Sequence, residues 1–133
     1  MSEQANVRTV QRVYESVASG DVPSLLDALH TDVEWRVPAM VGVTFAGTRR
    51  GRDQVGAFFG ELARVQEVVE FLPERFIAQD DTVVVLGRFV MRVRLTGLDS
   101  KSEWAHVWRL AAGKVTHFQE YVDTAAVSRA HTG

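Results

Sequence analysis

The sequence predicts an α+β domain in which three N-terminal helices pack on a strongly curved antiparallel sheet. Two observations carry this. Apolar residues recur at helical spacing in three segments before Arg64, and after them the chain alternates in long strand-like runs separated by short turns. Helices gathered at one end of a chain cover only one face of such a sheet. At 133 residues, with no internal repeat and no linker, the chain is expected to form a single domain spanning 1–133.

The first helix is predicted over Asn6 to Ser19, where Val7, Val10, Val13, Tyr14 and Val17 share a face and Gly20 ends it as a helix C-terminal glycine does. Asp21 offers an N-cap for a shorter second helix with Pro23 in its first turn, buried through Leu25, Leu26 and Leu29 and ended by Thr31-Asp32. The stretch VEWRV alternates, so Val33, Trp35 and Val37 face one way along a strand that Pro38 stops. Gly42, Gly47 and Gly51 mark the following loop, with a short strand expected around Phe45. Val55, Phe58, Phe59 and Leu62, at i, i+3, i+4 and i+7, define a third helix from Arg52 to Arg64. A meander of long antiparallel strands follows, and Asp123 caps a short helix before a frayed end.

Composition excludes several classes of function. Without cysteine there is no disulfide framework, thiolate zinc site or thiol nucleophile. A formal net charge of −2 gives no general attraction for nucleic acid or anionic membranes. The run TRRGR, Thr48 to Arg52, reads as a solvated edge in preference to a grip on one small anion. The polar start MSEQANVRTV lacks a signal-peptide pattern and the apolar runs are too short to span a membrane, so a cytoplasmic protein is expected. His30, His117 and His131 are expected to be exposed; no metal-ligand spacing links them, and no cofactor is expected.

The chemistry-bearing residues sit in EWAHVWRLAAGKVTHFQEYVD, Glu103 to Asp123. If His106 points inward, strand alternation takes Trp104, Trp108 and Leu110 with it, while Ala105, Val107 and Arg109 point out. Glu120 shares a face with Phe118 and Val122, and Phe89, Met91 and Val93 share one on the preceding long strand. The hairpin through Gly113 puts His106 opposite Glu120 or one diagonal step away. A buried glutamate alone tends to stay protonated, whereas a neighbouring imidazolium holds it ionised.

Four ordered strings, VQRVYESVASGD, HTDVEW, RGRDQVGAFF and WRLAAGKVTHFQEYVDTAA, resemble the nuclear transport factor 2-like superfamily, especially its SnoaL-like and ketosteroid-isomerase-like branches. The resemblance spans essentially the whole chain. It implies a cone-like fold whose concave side, roofed by helices, holds a ligand, and a homodimer through the outer sheet face, here carrying Val107, Gln119 and Tyr121. The carboxylate base of the isomerases falls on Val37, just before Pro38, and is missing. Their acidic oxyanion donor falls on His106, and their oxyanion tyrosine on Val13, with Tyr14 one residue out of register. The Asp-Arg-Asp set of limonene-type epoxide hydrolases falls on Gly87, Phe89 and Glu120, and the catalytic acid of SnoaL-like cyclases also falls on Glu120.

The expected site is therefore Glu120 as general acid or base with His106 as its partner and oxyanion donor. Its walls are Trp35, Trp104, Trp108, Phe89, Met91 and Phe118, completed by Tyr14, Val37, Phe58 and Val122. The expected ligand is a small apolar or carbonyl-bearing molecule, either turned over by an isomerase, cyclase or hydrolase or held by a non-catalytic binding or interaction module.

Overall fold

A computed structural model describes residues 2–133 as four helices and a six-stranded sheet. Helix α1 (Glu3–Ser19) starts earlier than apolar spacing predicts because the Ser2 side chain accepts the Ala5 N–H at 3.0 Å. It ends at Gly20, whose φ of 71° lets its N–H reach the carbonyls of Ser16 and Val17. Asn6, Val10, Val13 and Tyr14 form the buried stripe of this helix.

Helix α2 (Val22–Asp27) is capped by Asp21 as expected but stops before Thr31-Asp32. Leu29 instead opens strand β1 (Leu29–Val37). Tertiary contacts override the leucine spacing here: the Leu29 carbonyl accepts Arg52 Nε at 2.9 Å and Nη2 at 2.6 Å, and Val115 donates its N–H to the Ala28 carbonyl. The expected strand around Phe45 lies two residues later, as β2 (Gly47–Arg50), while Phe45 is buried against Phe58 and His131. Helix α3 runs over Gly51–Val65.

Strand β3 (Gln66–Gln79) continues through Pro73, which an edge strand tolerates because a missing N–H leaves no ladder bond unmade. Its pairing with β4 (Thr82–Val93) shifts register at Val68/Glu70 and again at Pro73/Arg75, the irregularities that bend a strand. Strands β5 (Asp99–Ala111) and β6 (Lys114–Val122) form the last hairpin. Beyond them α4 (Thr124–Thr132) is a full helix and not a frayed end: Asp123 caps it, and Val127, Ala130 and His131 are buried. His131 therefore departs from the exposure expected of it; it packs edge-on to Phe45 with ring centroids 5.5 Å apart.

The strand order is β2-β1-β6-β5-β4-β3. The sheet is mixed: β1 runs parallel to β6, and the other pairings are antiparallel. The parallel pair joins the first strand to the last and places Trp35 beside Phe118. Helices α1 to α3 pack on one face of the curved, unclosed sheet and enclose the main core, while α4 packs on β5. Among the described residues no helix is long and apolar enough to cross a membrane.

Candidate functional site

Period-two alternation turns a continuous set of side chains toward the helices. Along β5 these are Trp104, His106, Trp108 and Leu110, all buried, and along β6 they begin with Val115. Simple alternation from Val115 would then turn Gln119 inward and Glu120 outward. A register shift between Arg109 and Leu110 inserts one extra β6 residue, so that Leu110 pairs with Val115 but Arg109 pairs with His117. This bulge at Thr116 reverses the parity, turns Phe118, Glu120 and Val122 inward, and sets Glu120 directly opposite His106.

Four side chains then form one hydrogen-bonded chain. Trp108 Nε1 donates to the Tyr14 hydroxyl at 3.0 Å, the Tyr14 hydroxyl lies 2.8 Å from His106 Nδ1, and His106 Nε2 lies 3.1 Å from Glu120 Oε2. The indole only donates and a carboxylate only accepts, so the Tyr14 oxygen accepts from Trp108, a neutral His106 turns an unprotonated Nδ1 toward the hydroxyl, and the hydroxyl proton is donated there. That leaves the proton of a neutral His106 on Nε2, where it is donated to the carboxylate. Burial supports the same assignment. It raises the Tyr14 pKa and keeps the phenol protonated, and it lowers the His106 pKa against the opposing pull of Glu120, favouring neutral imidazole near neutral pH.

Exposure ranks the members of this chain. The His106 side chain is 6% exposed and that of Glu120 is 19%, so the carboxylate is the end that meets solvent or a ligand. Glu120 Oε2 is occupied by His106, whereas Oε1 has no hydrogen-bond partner among the described residues. Both His106 ring nitrogens are engaged within the chain.

Aromatic rings fill most of the space around it. Trp104 stacks on His106 with centroids 3.9 Å apart, Phe71 stacks on Trp104 at 5.1 Å, and Trp35 stacks on Phe118 at 4.0 Å. Phe58 packs against Trp35 from α3. Val37 is buried, Val122 is half-buried opposite Trp104, and Phe89 is half-buried against the core. Met91 is buried outside that main core, opposite Ser100. Two indole donors, Trp35 Nε1 and Trp104 Nε1, are buried with no partner. Two surface grooves, about 530 Å³ between α1, α2 and Gly113 and about 510 Å³ beside α4, include neither His106 nor Glu120.

Phe71 joins the site without having been singled out from the sequence, and Gly87 joins it in a role other than the one its resemblance suggested. A side chain on Gly87 would overlap the Trp104 ring and the Leu72 carbonyl, so the position that resembles an epoxide-hydrolase aspartate is here the seat of an indole. Only the β4–β5 pairing of Gly87 with Trp104 reveals this.

A curved sheet wrapped around an aromatic interior and roofed by helices is the architecture of the nuclear transport factor 2-like proteins. The structure of one from Burkholderia xenovorans LB400 superposes with a TM-score of 0.92 at 32% identity, covering 99% of each chain. That of TerC, co-crystallised with polyporic acid, superposes with a TM-score of 0.87 at 27% identity over 97% of this chain and 99% of its own. The profile of the SnoaL-like domain matches residues 10–118, and the chain belongs to that family. An uncharacterised protein of Mycobacterium tuberculosis is 27% identical over 127 residues, 95% of each chain.

Proposed function

We propose that the concave side binds a small, largely apolar, carbonyl-bearing molecule against Glu120, and that Glu120 transfers a proton on it without a cofactor. The observation that carries this reading is the chain Trp108–Tyr14–His106–Glu120, which runs from the core to a partly exposed carboxylate. A structural glutamate at the rim needs no such backing. A base needs it, because a fixed orientation and a defined protonation state are what make proton transfer efficient.

In this reading Glu120 Oε1 takes a proton from the carbon next to the ligand carbonyl, or from water, and returns it elsewhere. His106 is a positioning residue: its Nε2–H holds the other carboxylate oxygen, and its Nδ1 is already used by Tyr14. The oxyanion role expected of His106 passes instead to the unpaired indole N–H of Trp104, whose ring stacks on His106. A buried donor without a partner costs about 1–3 kcal/mol, and a ligand oxygen would relieve that cost. The isomerase, cyclase and hydrolase classes all use this step. The co-crystallisation of the related TerC with polyporic acid supports a ligand-binding role for this fold.

A second reading, a binding module without turnover, is favoured by the aromatic rings that fill the cone and by Val37 standing where isomerases carry a base. One experiment separates the two. Exchange of the α-hydrogens of 2-tetralone in D2O, followed by NMR, is expected to accelerate with the wild type and to drop about 100-fold or more with Glu120→Gln while binding persists. Binding with no acceleration by the wild type selects the second reading.

A further inference from the structure

The structure sorts the three arginines of TRRGR into different tasks. Arg50 reaches Glu34 at 3.4 Å on the outer face, and Arg52 is bound to the Leu29 carbonyl. Arg49 is directly opposite Trp35 in the β1–β2 pairing and therefore turns inward, half-buried, with its guanidinium 4.9 Å from the centre of the Phe58 ring. Among the described residues no carboxylate oxygen lies within 4.0 Å of it, and its one hydrogen bond is a 3.3 Å contact with the Gly47 carbonyl. Glu61 exerts a longer-range attraction, but its carboxylate is taken by Arg64, at 2.8 and 2.7 Å, and by Thr44.

A partly desolvated cation that keeps its charge is thus paired across the strands with Trp35, whose indole N–H is buried and without a partner. Two donors and an aromatic floor are the elements of an oxyanion receptor. Arg49, Trp35 and Phe118 occupy one cross-strand row, and Glu120 is the next inward residue along β6. From strand spacing, the Cα atoms of Arg49 and Glu120 are about 12 Å apart.

We infer that Arg49 and the Trp35 indole form an anion-binding end of the cone, so that its ligand is a flat apolar molecule carrying a carboxylate or other oxyanion away from the carbon that faces Glu120. The inference rests on the cone being a ligand site and adds the charge class and orientation of the ligand. The test compares 2-naphthoate with its neutral counterpart 2-acetylnaphthalene, read by the indole N–H resonance of Trp35, assigned through Trp35→Phe. The wild type is expected to bind the anion about ten-fold more tightly and to shift the Trp35 resonance. Arg49→Gln should abolish that preference, and Arg49→Lys, which keeps the charge and guards against a mere folding defect, should retain part of it. Binding of both probes without preference, or a preference that survives Arg49→Gln, overturns this inference and leaves the proton-transfer reading intact. Binding of neither probe overturns both.

Discussion

His106 joins burial to chemistry, and its titration is where the two are measured. Burial lowers its pKa and Glu120 raises it, so neutralising the glutamate removes the opposing influence. In Glu120→Gln the His106 midpoint, followed by NMR of the ring protons, is expected at lower pH than in the wild type; an unchanged midpoint would show that the two side chains do not share a site. The same depression affects stability. Below the ordinary histidine value of about 6.5 the unfolded chain takes up a proton that the folded one resists, so stability present above that pH is lost as pH falls through the folded pKa. His131, also lowered by burial, adds to the loss with the same sign. Thermal midpoints measured from pH 7.5 to 5 should fall less in His106→Gln than in the wild type. Tyr14→Phe strands Trp108 Nε1 and His106 Nδ1 together and is expected to cost about 1–3 kcal/mol in denaturant unfolding.

Between elements, the site depends on register. One extra residue at Thr116 decides that Glu120 and not Gln119 meets His106, since a one-residue slip sends every later side chain to the other face. Gly87 plays a comparable part on β4, where only the absence of a side chain lets the Trp104 indole lie across the strand and stack on His106. Gly87→Ala is expected to displace that ring and to destabilise by about 1–3 kcal/mol, the usual cost of overpacking, with a shift in the tryptophan near-UV circular dichroism. An unchanged spectrum and stability would mean that the indole is not held there.

For the molecule as a whole, the outer face of the sheet carries a central apolar patch flanked by charged residues such as Arg75, Arg88, Glu103 and Arg109. One cross-strand row carries Ile77, Val84 and Val107 and ends at Gln119, and the next runs from Arg75 through Leu86 and Ala105 to Tyr121, which is 59% exposed. We propose that this face pairs with a second copy, since contiguous exposed apolar surface of this kind drives association. Sedimentation at micromolar concentration is expected to show a dimer that Tyr121→Glu with Val107→Lys converts to monomer; a monomeric wild type would refute the pairing.

Much of this was legible in local sequence. The periods of 3.6 and 2 marked α1, α3, the Val33–Trp35–Val37 face and the inward set Trp104, His106 and Trp108, because each depends only on residues a few positions apart. Capping by Asp21 and Asp123 was legible for the same reason. The α2–β1 boundary was not, because Leu29 suits a helix by spacing and becomes a strand through contacts with Arg52 and Val115. Tyr14 reaches His106 across 92 positions, and Arg49 is separated from its two neighbouring arginines only once β2 lies against β1. The sequence by itself determined helices α1 and α3, the alternation of Val33, Trp35 and Val37, and the shared inward face of Trp104, His106 and Trp108. Tertiary structure decided which of them meet, because strand pairing and helix docking are chosen by burial summed over the whole chain, to which no local window has access.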